Sequence, residues 1–247
     1  MPRVGSAPRH ALVRRAAPFA LVAAWCLPAS ALAQAPDFEA GRAVVVGGED
    51  ASITPCFMCH GLDGVGGSAG AFPRLTGQAA FYMYKQLVDY AAEARPNAVM
   101  TPIARQRSEP QMANVAFYCS VMHVPNAPRR PVEPEVLARG RKIAEEGLPE
   151  ADLQACNFCH DADGAGNPPL FPYLAGQYAP YTERQLQLFR RGVRANGRLA
   201  VMRDIAEDLS DDDIRAVAMY FEWLRPGEGA GRGEARAGAR KPKRNGG

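Results

Sequence analysis

The sequence predicts an all-α protein in which one small helical domain occurs twice. Three observations carry that expectation. The chain repeats itself at an offset of about 100 residues, apolar residues recur at helical spacing, and no alternating apolar–polar run argues for a sheet. Cys56-Phe57-Met58-Cys59-His60 returns as Cys156-Asn157-Phe158-Cys159-His160. Asp63-Gly64, Phe72-Pro73, Gly77-Gln78 and Gln86-Leu87 return as Asp163-Gly164, Phe171-Pro172, Gly176-Gln177 and Gln185-Leu186. Met100 with Ile103-Ala104 returns as Met202 with Ile205-Ala206.

The elements follow in chain order. Residues 1–33 read as an export signal: Arg3, Arg9, Arg14 and Arg15 precede an apolar run, and Ala31-Leu32-Ala33 fits a small-residue cleavage site. A retained membrane anchor is the competing reading, but the run is short and broken by Pro18 and Pro28. The first domain spans 34–123 and the second 135–225. Residues 124–134 join them, and Pro125, Pro128, Pro131 and Pro134 make that stretch a stiff, extended connector. Helices are expected over 38–47 and 134–147 opening each domain, then over 78–94 and 181–194. A last helix starts at Ser108 or Ser210, where Ser210 before Asp211, Asp212 and Asp213 is an N-cap with acids in the first turn. Residues 226–247 form a basic tail rich in Gly, Ala, Arg and Lys, which cannot bury a core and is expected to be disordered.

Charge excludes one class of function. The first 33 residues hold four Arg and no acid, so the remaining chain has 25 basic against 26 acidic residues. The tail holds six basic and two acidic residues, which leaves the body acidic and without the basic footprint of a nucleic-acid binder. The tail could dock on anionic lipid as a peripheral membrane contact, or simply be solvated.

Two thiols two residues apart and followed at once by His read as a site of c-type haem attachment. Cys56 and Cys59, and again Cys156 and Cys159, are the candidate covalent attachment points, with His60 and His160 as axial iron ligands. Zinc would find three ligands of the usual four in each copy, and a thioredoxin-like role lacks the strand–helix alternation. Two covalent haem c groups are therefore expected, and their attachment outside the cytoplasm agrees with export.

The sixth ligand decides what the iron does. Beyond the two motifs the exported chain has one His, His123, which has no counterpart in the second copy and reads as a structural or surface residue. Bis-His ligation at both haems is thereby excluded. Of the Met residues, Met100 and Met202 correspond under the repeat, 40 and 42 residues after His60 and His160, and both are expected in the loop before the last helix. They are the candidate sixth ligands.

With these motifs, Cys56-x-x-Cys59-His60-Gly61-x-Asp63-Gly64, Pro73-x-Leu75-x-Gly77-Gln78 and Met100-x-x-Ile103-Ala104 with their copies, the chain resembles a diheme cytochrome c of the c4 type. Asp161 stands where Gly is usual. The resemblance implies two tandem class I cytochrome c domains with His/Met haems, passing single electrons through the periplasm. Implied partners are a quinol-oxidising complex or a dehydrogenase as donor and a terminal oxidase as acceptor. It also implies that each His Nδ1 donates to a backbone carbonyl near Pro73 or Pro172. Tyr82, Tyr84, Tyr178 and Tyr181 line the haems or pack on helix faces. Cys119, aligned with Phe221, is a buried apolar residue or a thiolate ligand. An electron carrier is the leading function. A thiosulfate dehydrogenase-like diheme enzyme, and an electron-accepting subunit of a dehydrogenase, are the alternatives.

Overall fold

A computed structural model describes residues 35–48, 53–67, 69–70, 72–197 and 200–225. The expected export signal and the basic tail lie outside the described residues. The described chain is helical, and its two isolated β-bridges, Leu148 with Leu153 and Asn167 with Phe171, make no sheet.

Copy one contains α1 (Phe38–Val46), α2 (Phe57–His60), α3 (Ala80–Ala91), α4 (Met100–Arg105) and α5 (Glu109–Val121). Copy two contains α6 (Pro134–Glu145), α7 (Asn157–His160), α8 (Ala179–Arg190), α9 (Val201–Glu207) and α10 (Asp211–Trp223), with a 3₁₀ turn at Pro149–Ala151. Local chemistry sets the ends. Asp37 caps α1 by accepting from Ala40 N at 2.6 Å, and Gly47 at φ 81° closes it. Ser108 and Ser210 cap the last helices as expected, Ser210 Oγ accepting from Asp213 N at 3.1 Å. Burial alone would raise the Asp213 carboxyl, but hydrogen bonds from Arg139 and Ser210 outweigh it and hold it below the usual carboxylate range. Pro134 opens α6, where its missing N–H costs nothing.

One expectation is corrected. Met100 and Met202 do not lie in loops; each sits in the first turn of a short helix, α4 or α9. Asn97 Oδ1 accepts from the N–H groups of Val99 and Met100 at 2.9 and 2.8 Å, which starts α4 directly after the Pro96 turn.

In each copy the first helix crosses the last, α1 on α5 and α6 on α10. The crossings are close because a glycine lies at each. A Cβ on Gly41 would stand 2.2 Å from Asn114 O, and one on Gly140 would stand 2.1 Å from Ala216 O. Around these crossings lie two cores, one with Val44, Met83, Val115 and Cys119, the other with Ile143, Leu186, Ile214 and Phe221. Gly140→Ala gains about 1 kcal/mol of helix propensity but forces backbone apart, an overpacking cost of about 1–3 kcal/mol or more. The expected result is a lower Tm for the haem-loaded variant in a thermal melt; an unchanged or higher Tm would contradict the close crossing.

Candidate functional site

The sequence Cys-x-x-Cys-His folds as one helical turn in both copies. His60 N–H donates to Cys56 O at 2.9 Å, and His160 N–H donates to Cys156 O at 2.9 Å. A single turn brings residues three apart onto one face, so both thiols of a motif lie together with the imidazole at the turn's end. All five cysteines among the described residues are free of disulfides. Burial raises the Cys56 thiol, and it pushes Cys156 up to about 12, so both are held as neutral thiols.

The loops after the motifs fix the two rings. His60 Nδ1 lies 3.1 Å from Pro73 O and His160 Nδ1 lies 2.9 Å from Pro172 O. A carbonyl can only accept, so Nδ1 carries the proton and Nε2 is the nitrogen available to a metal. Burial lowers both imidazoles below their ordinary value, more than the carbonyls raise them, which keeps the rings neutral and ligand-competent. Phe72 and Phe171 meet the rings edge-on at 6.2 and 6.0 Å between centroids. Gly66 and Gly166 hold the intervening loop by donating to His60 O and His160 O at 2.7 and 2.8 Å. A Cβ on Gly66 would collide with Phe72 O at 2.3 Å.

The donor set fits covalent haem in both copies: a pair of disulfide-free thiols on one turn, and a buried imidazole whose orientation and tautomer are fixed by the carbonyl behind it. The thiols would hold the porphyrin through thioether bonds and the His rings would face its iron.

Cys119 is 3% exposed and sits among Val44, Val45 and Met83; burial, with a smaller effect of Cys56, pushes its thiol up to about 12. That environment fits the apolar packing role. Met83 and Met112 are core residues, 8% and 4% exposed, and His123 is exposed. Met202 is half-buried against the second core, and Met100 is half-buried as well.

The two copies meet along a seam in which equivalent residues exchange places. Arg95 donates to Gln86 Oε1, Tyr181 OH and Gln185 Oε1 at 2.9, 3.0 and 2.7 Å. Arg194 answers by donating to Gln185 Oε1, Tyr82 OH and Gln86 Oε1 at 2.9, 3.0 and 3.2 Å. Both arginines are buried, 5% and 7% exposed, and every acceptor they use among the described residues is neutral. Burial would raise the Tyr82 phenol, yet the nearby Arg194 and Arg95 hold it below its ordinary value. Farther along the seam, Gln78 pairs with the backbone of Tyr173 and Gln177 with that of Arg74. Sequence reasoning missed Arg95, Arg194 and the role of the two Gln pairs. The available signal was that Arg95 and Arg194 stand at the same offset, 99, as Gln86 and Gln185.

The cytochrome c family model matches residues 137–225. The chain is 38% identical over 204 residues to a thiosulfate dehydrogenase electron acceptor of Stutzerimonas stutzeri (strain A1501), covering 83% of this chain and 93% of that one. It is 34% identical over 198 residues to cytochrome c4 of Thiocapsa roseopersicina, covering 79% of this chain and 96% of that one. Among solved structures, reduced cytochrome c4 from Pseudomonas stutzeri matches with a TM-score of 0.69 at 33% identity, covering 77% of this chain and 100% of that one. A thiosulfate dehydrogenase from Marichromatium purpuratum matches with a TM-score of 0.71 at 36% identity; 76% of this chain is covered, but only 40% of that longer chain.

Proposed function

The chain belongs to the cytochrome c4 family, and on that premise we propose that it is a periplasmic carrier accepting electrons from a thiosulfate-oxidising dehydrogenase and delivering them to a respiratory acceptor such as a terminal oxidase. It is a diheme electron-transfer cytochrome with two covalently bound haem c groups, and its partners are redox proteins. The donor reading rests on the relative named as an electron acceptor of thiosulfate dehydrogenase, which matches over nearly its whole length. Oxidative coupling of two thiosulfate ions through a new S–S bond releases two electrons, one for each haem.

In this reading His60 with Met100 and His160 with Met202 are the axial pairs, and Cys56, Cys59, Cys156 and Cys159 make the thioethers. Filled sixth positions favour electron transfer over substrate chemistry, and His/Met ligation sets a higher potential than bis-His. What the bound haem supplies is a reversible one-electron couple. The chain's residues do the rest. The Pro73 and Pro172 carbonyls hold the imidazole protons, and Arg95 and Arg194 supply positive charge suited to the haem carboxylates. Met58 and Phe158, third in each motif, are 64% and 72% exposed and present apolar surface beside the thiols where a partner can dock. Residues 1–33 direct export, and the basic tail gives a peripheral contact with anionic membranes. No helix among the described residues is long and apolar enough to cross a membrane.

The test is stopped-flow reduction of the purified, haem-loaded protein. Thiosulfate with catalytic amounts of a thiosulfate dehydrogenase is expected to reduce both haems, and thiosulfate alone neither. Steady thiosulfate turnover by this protein with an artificial acceptor would instead make it the enzyme.

A further inference from the structure

We infer that Gln177 is a positioning residue for the axial His60 of copy one and Gln78 for the axial His160 of copy two, each acting across the seam on the other copy's haem. The inference rests on the haem-ligand reading above and is carried by one shared peptide group on each side. The Pro73 carbonyl and the Arg74 N–H belong to the same peptide unit. That carbonyl accepts from His60 Nδ1 at 3.1 Å, while the N–H donates to Gln177 Oε1 at 3.0 Å. Gln177 Nε2 then donates to Arg74 O at 3.0 Å, and Gln177 Oε1 also accepts from Tyr178 N at 3.1 Å. The carboxamide is thus held at both ends and has no freedom to turn.

The second copy mirrors this. Pro172 O accepts from His160 Nδ1 at 2.9 Å, and Tyr173 N donates to Gln78 Oε1 at 2.9 Å. Gln78 Nε2 donates to Tyr173 O at 3.0 Å, and Gln78 Oε1 accepts from Ala79 N at 3.0 Å. Both glutamines are 8% exposed. A seam that needed adhesion alone could use any backbone group; here both glutamines take the peptide whose carbonyl orients a histidine.

Hydrogen bonds in a chain polarise one another. A peptide whose N–H donates is a stronger acceptor at its carbonyl, so Gln177 strengthens the pull of Pro73 O on the His60 proton. A stronger acceptor makes the imidazole a more basic ligand, which favours ferric over ferrous iron and lowers the potential. Each haem's potential is therefore set partly by the opposite copy.

The experiment uses the full haem-loaded chain with Gln177→Leu and, separately, Gln78→Leu. Covalent haem per chain is counted first. The Nδ1–H resonances of both axial His rings are then followed by NMR in the ferrous state, and midpoints are taken by spectroelectrochemistry. In Gln177→Leu the His60 ring N–H is expected to move upfield while that of His160 stays. One midpoint is expected to rise by about a threefold change in the ferrous-to-ferric ratio, or about 28 mV at 59 mV per tenfold. Gln78→Leu is expected to move His160 and spare His60. If a leucine variant fails to accumulate, Gln177→Glu keeps the acceptor for Arg74 N–H, and the His60 resonance is expected downfield of its parent position. Two haems with both resonances unmoved, or movement of the same-copy His, overturns the inference alone. An unaltered protein lacking two haems overturns the haem reading and this inference with it.

Discussion

With Met202 as the proposed sixth ligand, Met202→His is expected to lower the midpoint potential of one of the two haems by on the order of 0.1 V or more, within the roughly 0.8 V that axial ligands span. The other haem is expected to keep its midpoint. The thioether sulfur favours ferrous iron and a second imidazole favours ferric, so the exchange moves the couple downward. The replacement is local because Met202 lies in the first turn of α9, which is also anchored by the fully buried Ala206 and by α8. Met100→His, at the equivalent first turn of α4, is expected to move the other haem by a similar amount. Redox titration of the two variants checks both statements. Two unmoved midpoints would remove Met100 and Met202 as ligands.

The second large effect lies at the seam. Arg95→Met and Arg194→Met each remove a buried guanidinium whose hydrogen-bond acceptors among the described residues are neutral. A buried cation without a counter-charge is costly, and the proposed haem carboxylates would provide one. Removing the arginine would then leave a carboxylate without its partner, an expected loss of about 3–5 kcal/mol. The positive charge also favours ferrous iron, so its removal lowers the potential of at least one haem. A melt of the holoprotein and a redox titration are expected to show both changes. Gln86→Leu removes acceptors of both arginines but neither charge, and is expected to lower the Tm while moving the midpoints less. Equal midpoint shifts in the arginine and glutamine variants would mean that the arginines act by packing and not by charge.

Much of this site was legible in the sequence because its parts are local. The motif Cys56-x-x-Cys59-His60 carries its own geometry, since one helical turn suffices to gather it. The caps at Ser108 and Ser210 were readable for the same reason: the hydroxyl and its N–H partner are three residues apart. Even the carbonyls behind the His rings were expected near Pro73 and Pro172, through the resemblance and not through spacing. Helices α4 and α9 were missed because six or seven residues are too few for periodicity to register, and α4 depends on the Asn97 side chain to start. The seam was illegible for another reason. Gln78, Gln86, Arg95 and their copies are polar residues that, in one chain, look like solvated helix faces and loops. Their partners across the seam include residues 86 to 108 positions away, where no local pattern reaches.

The most direct test of the central claim is the far-red absorption of the oxidised, haem-loaded protein, normalised to covalent haem. A methionine sulfur on ferric haem gives a weak charge-transfer band there. Intensity matching two methionine-ligated haems per chain is the predicted result, with both sixth positions filled and the protein acting as a carrier. Intensity matching one haem or none would contradict it, leaving an open or differently ligated iron.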